Sequence, residues 1–270
     1  MKLGFLGYGN LARALTHGLC RPGGPLTPAD ITVTAHTRAT LDAAASAGHN
    51  TCSAASELFA CCDTVVLAVK PRVFRELATE LKSYVGSNHR VISVMCAVHI
   101  DEIQAALGCP VLRVMPTLAA AEACDILGYS DAAAFGDVVP LLESLGDAIP
   151  MNESMLDRLT VTASCGLGFA AHILKSYRAE CMKFGFDAVQ STAIVRRMFA
   201  YAAEYTEENG TDTCAQNSVA AESDCFAALE RRVATRGGAT EAGNIAMDAP
   251  LRTAIAEAFR AAGERAIPRS

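Results

Sequence analysis

The chain has 270 residues, a formal net charge of −6, 51% hydrophobic residues and 19% charged ones. So large an apolar share excludes a disordered chain, and interspersed acids and bases leave no single-sign field to hold nucleic acid or an anionic lipid surface. No apolar run approaches the ~20 residues of a membrane span, and the stretch from Met1 to Gly7 is too short for the apolar part of a signal peptide, so a cytoplasmic protein is expected.

In chain order, short apolar runs bounded by Gly, Pro, Asp or Asn predict strands over 2–6, 31–35, 64–69, 90–94 and 111–115. Amphipathic stretches between them predict helices over 10–20, 38–48, 71–84 and 100–107. This alternation is the pattern of βαβ units and a parallel sheet. After Pro150 the rhythm changes, and 154–185, 187–209, 216–234 and 251–266 read as helices. Two domains follow, an α/β domain over 1–150 and an all-helical one over 151–270, with the boundary near Met151.

The eleven cysteines sit mostly among Ala, Val, Leu and Phe. Read as small apolar residues, they imply a reducing compartment. There is no CxxC and no Cys/His run with zinc spacing, so no metal is expected.

Directly after the first predicted strand stands Gly7-Tyr8-Gly9-Asn10-Leu11-Ala12, a GxGxxA pattern opening a helix. Gly7 permits a tight turn, Gly9 lets the backbone approach a pyrophosphate, and Ala12 lets the helix pack on the strand. The N–H groups at the start of the helix then meet the phosphates, which points to a Rossmann-type dinucleotide site using Gly7, Gly9, Asn10 and Leu11. At the end of the second strand, where an acid would select NAD, the chain has Ala35-His36-Thr37-Arg38. With no acid present, and with His36, Thr37 and Arg38 placed to meet a 2′-phosphate, NADPH is favoured and NADH stays possible. Alternatively, Thr37 only caps the next helix and Arg38 is solvated. Ala68-Val69-Lys70-Pro71 would lie at the carboxyl edge of the sheet, where open α/β folds bind ligands.

Taken together, the motifs resemble the pyrroline-5-carboxylate reductase family. The phosphate loop is similar to that family's GxGNMA, Ala68 to Pro71 to its AVKP, and Arg113-Val114-Met115-Pro116 to its RxMPN. Asp157-Arg158-Leu159-Thr160 resembles its DxxT, and Arg236-Gly237-Gly238-Ala239-Thr240 its PGGTT or PGGAT. The resemblance implies a Rossmann domain followed by a helical dimerisation domain, a homodimer or larger assembly, and active sites completed at the subunit interface. It also implies proline biosynthesis by NAD(P)H-dependent reduction of a C=N bond in a cyclic imine carboxylate, with Met115 and Pro116 beside the cofactor. The substrate carboxylate would be held by two segments, Cys165 with Gly166 and Gly237 to Thr240.

The departures gather at the substrate. Where the family has SGSGPAY this chain has Ala163-Ser164-Cys165-Gly166-Leu167-Gly168-Phe169, Thr117 replaces the Asn of MPN, and Arg236 replaces the Pro of PGGT. Glycine-rich backbone at a helix start can still cradle a carboxylate, and Thr240 is the expected donor near the imine nitrogen, unless it serves only as a helix N-cap. Three other readings stay open: a paralogue reducing a different cyclic imine acid, a β-hydroxyacid-dehydrogenase-like enzyme using Lys175, and a non-catalytic NADP-binding regulator.

Overall fold

The computed structural model describes residues 1–130, 132–205 and 225–267. The first half alternates as β1 (Leu3–Leu6), α1 (Asn10–Cys20), β2 (Ile31–Thr34), α2 (Arg38–Ser46), β3 (Asn50–Cys52), α3 (Ala55–Cys61), β4 (Thr64–Leu67) and α4 (Pro71–Lys82). It continues as β5 (Arg90–Ser93), α5 (Ile100–Leu107), β6 (Val111–Met115), β7 (Asp125–Tyr129), α6 (Val139–Glu143) and β8 (Gly146–Pro150). The strands form one sheet in the order β3-β2-β1-β4-β5-β6-β7-β8, parallel throughout except between β6 and β7. The order in which strands are added reverses between β1 and β4, which are themselves parallel, and this is the switch point at which such sheets bind ligands.

The period-two alternation of a strand sends Phe5 and Val66 to one face and Leu6 and Leu67 to the other. Helices cover both faces, which is why these strands read as unbroken apolar runs. Phe5, Leu15, Val33 and Val66 belong to one apolar layer, and Leu6, Leu58, Leu67 and Phe74 to the other. Each such side chain contributes about 1.5–3 kcal/mol by leaving water. Gly18 lets α1 lie directly against the 3-10 turn Leu118–Glu122, since a Cβ there would overlap the Ala120 carbonyl.

Three strands and two helices depart from the sequence expectation. β3 and β8 are edge-side strands with mostly exposed or half-exposed residues, and β7 contains Gly128, so none carries a continuous apolar signal. The helices α3 and α6 are 7 and 5 residues long, too short to show a helical period. β2 and β4 end one and two residues early, releasing Ala35 and Ala68-Val69 to the carboxyl edge.

The second half is helical: α7 (Glu153–Leu159), a π-helical turn Thr160–Cys165, α8 (Gly166–Lys183), α9 (Ala188–Glu204), α10 (Cys225–Val233) and α11 (Ala239–Ala266). α9 starts where expected because Asp187 and Gln190 form a reciprocal capping box. The ends of two expected helices, 206–209 and 216–224, lie outside the described residues, as does Cys214. A correction applies to the last helix, which opens at Ala239 and not after Pro250. Pro250 lies inside it, where its missing N–H removes a single rung from a ladder of 28 residues.

By contact density the chain forms two compact units, Met1–Leu167 with Ala261–Ser270, and Gly168–Arg260. Within the second unit the helices leave Phe184, Val189, Phe226 and Ile245 at least 66% exposed. An isolated unit of this kind needs a partner surface. The ten described cysteines are free thiols, and fewer are core residues than expected: Cys62 and Cys109 are buried, six are half-buried, and Cys61 and Cys124 are exposed. Among the described residues no helix is long and apolar enough to cross a membrane.

Candidate active site

The phosphate loop has the geometry its glycines suggest. Gly7 has φ +98° and lies against the Ala68 carbonyl, where a Cβ would come within 2.8 Å of its oxygen. Its N–H donates to the Thr34 carbonyl at 2.9 Å, and Ala68 N–H donates to Leu6 at 2.9 Å, so the ends of β1, β2 and β4 are tied together. Gly9 is different. Its φ of −79° suits any residue, and a Cβ there would meet no atom within 4 Å. Neither backbone strain nor packing requires glycine at this position, so the space is open to a ligand. Behind it α1 begins with no side-chain cap and no acid in its first turn, leaving Asn10, Leu11 and Ala12 N–H groups for an anion. Ala12 is 1% exposed and packs into the core. These residues fit a dinucleotide pyrophosphate.

At the adjoining strand end, Thr37 is the N-cap of α2 and accepts from Thr40 N–H at 3.3 Å. His36, Thr37 and Arg38 are all exposed. Arg38 pairs with Asp42 at 2.9 Å on the helix surface, an i,i+4 contact weak enough to yield to a phosphate. Capping and phosphate binding are compatible here, because the cap occupies one hydroxyl lone pair and leaves the guanidinium at the helix start.

On the other side of β1, Ala68 and Val69 are half-buried, Lys70 is exposed, and Pro71 is the first residue of α4. Met115 and Pro116 are buried at the end of β6. Pro116 accepts at 3.1 Å from Ser164 Oγ, which fastens the π-helical turn to this strand end.

Cys165 and Gly166 do not form a loop. They lie where the π turn passes into α8, inside a helical run unbroken from Glu153 to Lys183, with backbone amides already engaged in the helix. Gly166 and Gly168 have no protein neighbour that forbids a side chain: a Cβ on the first would be 3.9 Å from the Val161 carbonyl, and on the second would meet nothing. Gly237, at φ +74°, and Gly238, held against Thr235, turn the chain into α11. The N-cap reading of Thr240 is corrected, because α11 opens at Ala239 and it is Glu241 that reaches back to Gly237 N–H at 2.6 Å. Thr240 is exposed at the first turn. His172 and Lys175 are exposed on α8.

Sequence reasoning missed one cluster among the residues described. Arg113 on β6 is fully buried and donates to Glu153 Oε1 at 2.8 Å and to Asp157 Oδ1 at 2.9 Å. Glu153 Oε1 also accepts from Ile100 N–H at 2.8 Å, and His99 Nε2 faces Asp157 Oδ2 at 3.4 Å. Removing Arg113 would leave two carboxylates facing each other in a partly dry site, a loss on the order of 3–5 kcal/mol. The signal was available: an arginine inside the apolar strand Val-Leu-Arg-Val-Met, with acids four residues apart on the first helix of the second half. In the same loop Ala97 takes φ 56°, a left-handed conformation costly for a residue with a Cβ. Beside it burial and the Asp157 carboxylate push the Cys96 thiol up, keeping it protonated.

Fold and site together define an NAD(P)H-dependent oxidoreductase with a Rossmann-type domain and a helical second half. Residues 2–97 match the family described as NADP oxidoreductase coenzyme F420-dependent, and residues 153–268 match pyrroline-5-carboxylate reductase dimerisation. The pyrroline-5-carboxylate reductase of Staphylococcus aureus (strain COL) is 26% identical over 252 residues, covering 90% of this chain and 88% of the relative. Pyrroline-5-carboxylate reductase 2 of Bacillus subtilis (strain 168) is 27% identical over 251 residues, covering 90% and 85%. The crystal structure of Plasmodium falciparum pyrroline carboxylate reductase with NADP bound has the same fold, with a TM-score of 0.82 at 21% identity over 98% of this chain and 97% of that one. The helical half thus carries a pyrroline-5-carboxylate reductase dimerisation domain, and the relatives to which the chain is similar over 90% of its length are pyrroline-5-carboxylate reductases. This dimerisation domain accounts for the exposed apolar side chains of the second unit and makes the protein a homo-oligomer.

Proposed function

We propose that the chain reduces 1-pyrroline-5-carboxylate to L-proline with NADPH in the cytoplasm. The observation that carries this reading is the match of residues 153–268 to the reductase dimerisation family, since a dinucleotide loop alone serves many dehydrogenases. Gly7, Gly9, Asn10 and Leu11 hold the pyrophosphate, and His36, Thr37 and Arg38 the 2′-phosphate. Ala68, Val69, Lys70 and Pro71 line the path toward the nicotinamide, with Met115 and Pro116 as a buried floor. The cofactor supplies the hydride that reaches the imine carbon.

The substrate carboxylate is assigned to Gly237, Gly238 and Ala239 at the start of α11, where the helix dipole supplies the field; Gly237 N–H already donates to Glu241 and Gly238 N–H to the Thr235 carbonyl, so the donors left for it are the first-turn amides from Ala239 onward. Thr240 donates to the imine nitrogen and makes the adjoining carbon more electrophilic. Cys165 and Gly166 are also assigned to the substrate, and each site is completed by the second copy of a homodimer. Because Cys165 and Gly166 lie in a helix, they contribute shape and not amide donors. That shape, built from the altered segment Ala163 to Phe169, is the reason to test other ring sizes.

The test is loss of NADPH absorbance with pyrroline-5-carboxylate and then with piperideine carboxylates, and gain of NADPH absorbance from NADP⁺ with 3-hydroxy acids. Turnover of the first is expected; tight NADPH binding without imine turnover overturns the reading. Thr240→Val should lower kcat on the order of a hundredfold while leaving the NADPH Kd unchanged. Unchanged turnover removes Thr240 from the reaction.

A further inference from the structure

The buried cluster around Arg113 carries more negative charge than positive. Arg113 offers one cation, and Glu153 and Asp157 two carboxylates, of which Asp157 is only 5% exposed. Asp157 spends Oδ1 on Arg113 and turns Oδ2 toward His99. His99 Nε2 is itself buried and has no hydrogen-bond partner, although the ring as a whole is 40% exposed. Proton exchange with solvent is therefore open to the ring while its buried nitrogen looks at a carboxylate. A protonated His99 balances the cluster; a neutral one leaves Asp157 Oδ2 facing an uncharged ring in a partly dry site.

The cluster also joins the segments that matter to the reaction. His99 ends the loop that leaves β5 through Cys96 and the left-handed Ala97, and it immediately precedes α5. Asp157 lies on α7, three residues before the helix widens into the π turn Thr160–Cys165. π turns cost hydrogen-bond geometry and recur at functional sites. This one is held at its far end by Ser164 on the Pro116 carbonyl and at its near end by Asp157.

We propose that His99 and Asp157 are positioning residues for imine reduction: paired as imidazolium and carboxylate, they fix the π turn that presents Cys165, and turnover falls when His99 loses its proton. The inference rests on the reductase reading above. The charged and titratable groups around the pair are Arg113 from β6, Glu153 from α7 and Cys96 from the β5–α5 loop, with Cys165 beyond Cys96. Arg113 keeps its charge throughout, and the Cys96 thiol is held protonated by burial.

The test compares wild type with His99→Gln, which keeps a neutral donor for Asp157, from about pH 5 to 8, the interval in which imidazole ordinarily changes charge. The kcat ratio of wild type to H99Q should be on the order of tenfold at the acid end and approach one at the alkaline end, with KM changing less than twofold. A ratio constant across pH, or equal to one throughout, overturns the proposal. Absence of turnover by the wild-type protein would sink the reductase reading instead. The pair itself is then read from histidine 15N resonances: a titration midpoint for His99 higher in wild type than in Asp157→Asn supports the pair, and equal midpoints defeat it.

Discussion

The Thr117 hydroxyl donates to Asp125 Oδ1 at 2.7 Å while its oxygen accepts from Ala119 N–H at 3.0 Å. Thr117 N–H donates to the other carboxylate oxygen at 2.8 Å, so one residue secures the end of β6 to the first residue of β7. Burial holds the Asp125 carboxyl above its usual range, against the lowering effect of the Thr117 donors. This position, where the family has Asn, is thereby committed to structure. Thr117→Val should destabilise the fold by about 1–3 kcal/mol, the cost of an unsatisfied buried acceptor. Urea unfolding measures it, and kcat at a temperature where the variant is folded should stay within about twofold; a large kcat loss without destabilisation would move Thr117 into the substrate site.

Two glycines of one helix should answer substitution in opposite ways. Gly9→Ala meets no protein atom, so stability should hold within about 0.5 kcal/mol while the NADPH Kd rises at least about tenfold. Gly18→Ala drives a methyl into the Ala120 carbonyl and should cost stability on the order of 1–3 kcal/mol. Paired thermal melts and cofactor titrations check this; a Gly9→Ala protein that binds NADPH normally would contradict the cradle.

The Arg38–Asp42 pair is exposed on both sides and contributes little to the fold. Arg38→Ala should leave the melting temperature in place yet weaken NADPH by about tenfold to a hundredfold, the scale of a charged hydrogen bond, with NADH changed less than about twofold. Equal losses for both cofactors would reverse the preference for the 2′-phosphate.

At the opposite edge of the sheet Arg90 donates to Asp137 at 2.6 Å and holds its carboxyl below the usual range. The sign follows from linkage: with the folded pKa depressed, the contribution to stability is present above the unfolded carboxylate pKa and is lost as pH falls through the folded one. Asp137→Asn should therefore flatten the acid limb of a stability-against-pH curve and leave activity near neutrality unchanged. An acid limb identical to wild type would show that the pair contributes nothing.

The Rossmann-type half and its cofactor class were legible in the sequence. Glycines at 7 and 9, an uncapped helix start and a strand end without an acid are local features, and local features are legible because they involve neighbours in the chain. The apolar strands β1, β2, β4, β5 and β6 were legible for a related reason, since burial on both faces leaves a continuous apolar run. The edge-side strands β3 and β8 escaped because their residues face solvent and are held by pairing, to which composition is blind. Only the tertiary structure showed that Cys165 ends a π turn and Gly166 begins α8, that Pro250 lies inside α11, and that Arg113 meets Asp157. Arg113 and Asp157 are 44 residues apart in sequence. A buried charge finds its partner across the fold, by the cost of leaving it unpaired, and no window of the sequence contains both.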